Sequence, residues 1–449
     1  MSEELILTEI DKNKEDYIDF FRELIKAESY NPPGNEKNVA LKIEKYLKDV
    51  DIKCEIFTFG NNRANLLAYL NDNFDEKNLL FNGHMDVVPP GNEEEWKYHP
   101  LSATIKRSKI IYGRGATDMK SGLAALIIAM KVLKKLNLKL SGNLILNAVS
   151  DEETGGELGT KWTLENKLKS IKCDFAIIAE PTELKPLPKA IFIGEKGRLE
   201  VKLITNGISC HASIPYIGKN AIYMMSEIIE NLDRIEDFIP KVNPPISYDE
   251  LKELISTAFP DREIFERILN EQPALQNILK SLTTFTKSLN IIKGGIKANV
   301  VPDFCEAIID FRLLPGQTAD MVLDGLENLI TSLGYQVKDQ PTGDPEEVFV
   351  YIELLHQSEP SLWKDWKDNQ ALKDFFYILE RIYGRKPFYL IYPASADANY
   401  YRNNNFCPET ICCGPGNANS AHSTNENVEI QDYINAIKVY SLFAYHFLK

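Results

Sequence analysis

Short apolar runs that end at a histidine or an acidic residue recur along this chain and alternate with stretches of helical period. Leu79-Leu80-Phe81 leads into Asn82-Gly83-His84, Asn143 to Val149 leads into Asp151-Glu152-Glu153, and Phe175 to Ala179 stops at Glu180. Between them, Met119 to Leu136 reads as a helix. Earlier, Val39, Ala40, Ile43, Tyr46, Leu47 and Val50 recur at helical spacing after the breaker Pro32-Pro33-Gly34. Parallel strands need long crossovers, so this alternation predicts an α/β fold with a mixed, mostly parallel sheet covered by helices. Such sheets bind ligands outside the carboxyl ends of their strands, which is where the polar residues fall.

The pattern is interrupted in the middle. Ile191 to Thr205 alternates like a strand, Asn206-Gly207 leads to His211, and a helical stretch runs from Lys219 to about Leu232. Strand-like sequence resumes at Ser288 to Ile292 and at Cys305 to Leu313. The stretch from about Arg234 to Ser281 is polar, helical in pattern and without a chemical motif. The first pattern then returns, with strands near Phe388 to Tyr392 and Thr410 to Cys413 and a last amphipathic helix from about Glu429 to Phe447. A chain of 449 residues is too long for one ordinary core. The expected division is a catalytic unit built from 1–194 and 313–449, with a smaller α+β unit inserted at 195–312.

Bulk properties narrow the partners. A net charge of -14 argues against nucleic acid and anionic membranes. No apolar run reaches the length of a bilayer span. The start, Met1-Ser2-Glu3-Glu4-Leu5, lacks the basic and apolar regions of a signal peptide. Seven scattered cysteines, with no Cys-x-x-Cys, form neither a disulfide framework nor a sulfur zinc site. The protein reads as cytoplasmic.

Carboxylate oxygen and imidazole nitrogen are the donors that a hard or borderline cation takes. Two ions roughly 3.5–4 Å apart can clamp a water between them, given a bridging carboxylate and further ligands on each ion. Five short motifs supply such a set. They are His84-Met85-Asp86, Asp118 within Gly113-Arg114-Gly115-Ala116-Thr117-Asp118, the pair Glu152-Glu153, Glu180 before Pro181, and His422 in Ala421-His422-Ser423. Asp86 stands where it can accept the second N–H of the His84 imidazole and fix its tautomer. Taken alone each motif has an ordinary reading: a surface histidine, a helix N-cap at Asp118, an acidic loop. A carboxylate emerging from an apolar strand at Glu180 is costly to bury unpaired and calls for a cation.

In this order the motifs resemble the dinuclear zinc metallopeptidases that include aminoacylase, acetylornithine deacetylase, succinyl-diaminopimelate desuccinylase, glutamate carboxypeptidase and related dipeptidases. The resemblance runs from about residue 17 to the C-terminus. It implies a zinc-exopeptidase-like catalytic domain with an inserted ferredoxin-like lid that also forms a homodimer. It implies two Zn2+ ions, with Co2+ or Mn2+ suited to the same donors. Asp118 would bridge them, His84 and Glu180 would complete one site, and Glu153 and His422 the other. Glu152 would be the general base, Asp86 would orient His84, and the Asp118–Met119 peptide bond would be cis. His211 would reach the partner subunit's site and stabilise the tetrahedral oxyanion there, and Asn299 and Arg312 would bind substrate.

The substrate implied is a small N-acyl amino acid or a short peptide, cut at an amide bond beside a free carboxylate. A dipeptidase or carboxypeptidase of the same family is the alternative. A catalytically silent binding protein is a third reading, and it expects lost ligands, whereas all five and Glu152 are present. Two places depart from the family pattern. Gly194-Glu195-Lys196-Gly197 carries an acid where the desuccinylase branch has an arginine pair, which speaks against a succinylated substrate. Ala394-Ser395-Ala396-Asp397-Ala398-Asn399 lacks the arginine expected at its end.

Overall fold

The structure is a computed structural model that describes residues 2–60, 62–71, 73–185, 187–340, 344 and 346–449. Its larger sheet has nine strands. The central ones, Asn78–His84, Asn143–Val149, Phe175–Glu183 and Thr410–Asn417, run parallel to one another. The hairpin Cys54–Phe59 and Arg63–Tyr69 adds antiparallel strands on one side, and on the other Ala190–Glu195 pairs antiparallel with Ser361–Leu362 and parallel with Phe388–Tyr392. Every residue of Asn78–His84 and Asn143–Val149 is buried, as expected where helices cover both faces of a sheet.

Several helices lie against the sheet, Glu36–Lys48 over the edge hairpin and two others over its centre. Lys120–Lys135 is buried from Lys120 to Met130 without a break, and Ile430–Leu448 packs beside it. Burying a side chain such as Ile127 or Leu126 contributes about 1.5–3 kcal/mol each, so this layer fixes the helix firmly. Gly122 sets how close it comes. A Cβ there would lie 2.1 Å from the Ala179 carbonyl oxygen, so only glycine lets the helix start settle on the strand just before Glu180. That contact brings Asp118 beside Glu180.

A second sheet of five strands follows the order Thr286–Gly294, Phe304–Leu313, Gly197–Asn206, Phe349–Ser358, Val337–Lys338. Gly197–Asn206 alternates strictly between buried and half-buried residues. Leu199, Val201 and Leu203 face helices Ala221–Glu230 and Ala319–Ser332, and Arg198 and Glu200 point the other way. Ala190–Glu195 of the large sheet passes into this strand across Lys196 alone.

Layer membership departs from the expected 195–312 span in two respects. Phe349–Ser358 belongs to the small sheet, pairing with Gly197–Asn206 well past residue 312. Helices Tyr248–Ser256, Arg262–Glu271 and Pro273–Thr283 instead send Leu251, Ile255, Phe265 and Leu279 into the large core. A helical period shows that a helix has an apolar face, but not which core that face meets. All seven cysteines are free, and no helix among the described residues is long and apolar enough to cross a membrane.

Candidate metal centre and active site

The five motifs converge at the carboxyl ends of the central strands. His84 is the last residue of its strand, and its Nε2 lies 3.1 Å from Asp118 Oδ1 and 3.7 Å from Glu180 Oε1. On the other side of Asp118, His422 Nε2 lies 3.2 Å from Oδ2 and 3.0 Å from Glu153 Oε2. Two donor groups result, His84–Asp118–Glu180 and Asp118–Glu153–His422, each with its ligand atoms within 4.8 Å of one another. Asp118 belongs to both and turns one oxygen to each histidine. It is not a helix cap: the helix begins after Met119, and the Asp118–Met119 bond is cis. Glu180 lies inside its strand, which continues to Glu183.

These groups fit divalent cations. Glu153 Oε1 and Glu180 Oε1 are buried without a hydrogen-bond partner, an expensive arrangement unless a cation supplies the missing contact. Burial pushes the Glu152 and Glu180 carboxyls well above the usual range and Glu153 upward. Burial opposes ionisation of Asp118 as well, yet the two histidines beside it hold it below the usual value. Hydrogen bonds to Asp118 and Glu153 push His422 up to about 10. The crowded carboxylates favour positive charge at the two imidazoles, a demand that divalent cations would meet.

Asp86 acts differently from the expected contact. His84 Nδ1 sits 2.9 Å from the main-chain oxygen of Asp86 and 3.6 Å from its carboxylate. The main chain therefore fixes the His84 tautomer. The Asp86 carboxylate accepts from Asn31 Nδ2 at 2.8 Å and from the backbone N–H groups of Glu152 and Glu153 at 3.3 and 3.2 Å. It thus holds the turn that presents the general-base candidate and a ligand candidate.

Glu426 is a residue the sequence reading missed. It is fully buried and accepts from the N–H groups of Gly115, Thr117 and Asp118 at 3.1, 2.7 and 2.9 Å, and from Arg114 Nη1 at 2.6 Å. Four residues after His422, in a chain this acidic, it reads as an ordinary loop glutamate.

A cleft of about 1160 Å³ opens over Glu152, Glu153 and His422, with Arg312 and Arg198 on its small-sheet wall. Arg312 donates to Asp310 at 2.7 Å. His211 and Asn299 do not line this cleft. They lie together and exposed, with Ala212 N bonded to the Asn299 carbonyl at 3.0 Å and His211 Nδ1 2.7 Å from Ser213 Oγ.

The two departures from the family pattern prove to be one structural unit. Glu195 is fully buried and does not line the cleft. It accepts from Ala396 N at 2.6 Å and Ser361 Oγ at 2.8 Å, and faces Arg402 Nη1 at 3.4 Å. Its carboxyl, pushed up to about 7 by burial, is engaged by Ala396, Ser361 and Arg402 and does not speak against a succinylated substrate in the cleft.

A model of peptidase family M20/M25/M40 matches residues 80–446. The chain belongs to this family. A probable succinyl-diaminopimelate desuccinylase of Staphylococcus aureus (strain N315) is 30% identical over 420 residues, covering 92% of this M20 chain and 94% of the relative. Over 231 residues, 50% of this chain and 55% of the relative, a succinyl-diaminopimelate desuccinylase of Wolbachia sp. subsp. Brugia malayi is 38% identical. The fold is shared with the M20 metallo-carboxypeptidase Sso-CP2 from Sulfolobus solfataricus, at TM-score 0.73 and 23% identity over 96% of this chain and 99% of that one. Human carnosine dipeptidase 1 also shares it, at TM-score 0.73 and 16% identity over 100% and 99%. The M20 chain is accordingly a metal-dependent hydrolase.

Proposed function

We propose that this enzyme hydrolyses the amide bond of a small N-acyl amino acid beside its free carboxylate, in the cytoplasm. The observation that carries the reading is the pair of donor groups joined by Asp118, with Glu152 Oε2 4.0 Å from His84 Nε2 at the same centre. His84 and Glu180 would hold one ion, Glu153 and His422 the other, and Asp118 both. Two zinc ions, or cobalt or manganese, held there would supply Lewis acidity to the scissile carbonyl and to the attacking water. Glu152 takes the proton from that water and delivers it to the leaving nitrogen. Arg312 receives the substrate carboxylate with its planar guanidinium.

The test is a panel of N-acetyl and N-succinyl amino acids and dipeptides offered to protein loaded with a defined metal. We expect N-acyl substrates to be turned over fastest, chelation to abolish turnover, and zinc, cobalt or manganese to restore it. Chelation should also lower Tm, because a ligand at a thousand times its Kd stabilises the folded state by about 4 kcal/mol. Faster cleavage of dipeptides would move the assignment to a dipeptidase or carboxypeptidase. Metal-loaded protein that is inert across the panel would be a binding protein.

His211 is assigned to the partner's site in a homodimer formed through the inserted unit. Its own chain keeps it off the cleft, and the nearby Ile214, Tyr216, Ile217 and Ile296 expose apolar surface that a second copy would cover. We expect His211→Ala to lower kcat by about 10²–10³-fold with metal content unchanged, the usual loss for one oxyanion donor. Unaltered kcat would end the shared-site assignment.

A further inference from the structure

The cleft contains a histidine that none of the five motifs includes. His356 lies on Phe349–Ser358, in the wall opposite Glu152 and Glu153. Its direction is set by an irregularity in pairing. Leu354 stands opposite Val201, whereas His356 stands opposite Glu200, so Leu355 is an extra residue in the strand. Successive side chains alternate faces, and one extra residue exchanges them. Without it, His356 would stand opposite Leu199 and turn toward the core of the small unit. With it, His356 shares the face of Glu200 and Arg198.

The ring reaches across the cleft. A Cβ built on Gly155 would meet one neighbour, His356 Cε1, at 3.8 Å, so the imidazole stands over the turn that carries Glu152 and Glu153. The arginines of the same wall already have partners. Arg198 donates to Asp310 at 2.8 Å and also to Glu200, and Arg312 donates to Asp310. Among the described residues no hydrogen bond engages the half-buried His356 imidazole. Burial, with Arg198 nearby, holds its pKa below the usual histidine range. Near neutral pH it therefore presents one donor and one acceptor and no charge.

We infer that His356 is a specificity-determining residue whose imidazole hydrogen-bonds an uncharged polar group of the substrate, between the metal ligands and the arginine pair. The inference rests on the hydrolase reading above, since it takes the occupant of the cleft to be an N-acyl amino acid or short peptide. A substrate carboxylate would go to the guanidinium groups, whereas a carbonyl or amide suits a neutral imidazole.

Two variants test this. His356→Phe keeps a ring and removes the hydrogen bond, while His356→Gln keeps a donor and an acceptor. We expect His356→Phe to lower kcat/KM about tenfold, mainly through KM, the size of one hydrogen bond in uniform binding. His356→Gln should recover most of that loss, with metal content and Tm of both variants at wild-type values. A KM within twofold of wild type in His356→Phe overturns the inference, as does an equal loss in both variants or a loss that follows metal content. Calorimetric titration with an N-acetyl amino acid, in a Glu152→Gln background, reads the same ratio without turnover. Wild-type protein inert on the whole panel defeats the proposed function alone. Equal affinities in that titration, or no binding at all, defeat the role of His356.

Discussion

Glu152→Gln is expected to lower kcat by about 10²–10⁴-fold while both metal ions remain bound. The separation of the two effects follows from geometry. Glu152 belongs to neither donor group, so metal content measured by elemental analysis should match the wild type. Its N–H is held by the Asp86 carboxylate at 3.3 Å, a bond to the main chain that the substitution leaves in place. Gln has nearly the shape of Glu, so the turn and its neighbour Glu153 should stay where they are. In the proposed mechanism, what is lost is the capacity to take a proton from water and return it to nitrogen. The sign of a stability change also follows. Burial raises the Glu152 carboxyl far above its unfolded value, so its ionised form destabilises the fold at neutral pH when no cation is near. The metal-free variant should therefore unfold at the same temperature as metal-free wild type or somewhat above it. Turnover at the wild-type rate would remove Glu152 from the mechanism, and loss of metal alongside activity would make it a ligand.

The metal end of this enzyme was legible because strand ends and chemistry coincide. An apolar run that leads into His84 or Glu180 declares both a buried strand and a polar group toward its carboxyl end. Three kinds of information were hidden. One is the partner of a buried charge: Glu195 is answered by Arg402, which lies 207 residues further on, and nothing local distinguishes that from a substrate contact. Another is register, since the extra residue at Leu355 decides which face His356 takes, in a strand the sequence reading did not mark. The last is the destination of an amphipathic face, as in the helices between Tyr248 and Thr283 that pack into the large core rather than under the small sheet. Asp86 shows a subtler shortfall. Its closeness to His84 was readable, but its carboxylate serves the Glu152-Glu153 turn and its main chain serves the imidazole.

Glu426→Gln is expected to weaken metal binding about 10–100-fold, the cost usual for groups that orient ligands from behind. Glu426 gathers the loop that presents Asp118. One oxygen accepts from the N–H groups of Thr117 and Asp118, and the other from Gly115 N and Arg114. Gln can keep only one of these oxygens. Its amide N–H2 must then face either two backbone donors or Gly115 and the guanidinium, so donors oppose donors in a fully buried site. Leaving such groups unpaired costs about 1–3 kcal/mol, and more where Arg114 keeps its charge without a counterion. Tm should fall accordingly. The loop also ends at Asp118, which both donor groups share, so the disturbance reaches both groups rather than one. Activity assayed at low metal should therefore collapse, and recover in large part when zinc is raised about a hundredfold. Glu152→Gln should show no such recovery, which separates a residue that places the ligands from one that moves the proton. A Glu426→Gln protein with reduced Tm but wild-type metal affinity would confine Glu426 to holding the fold.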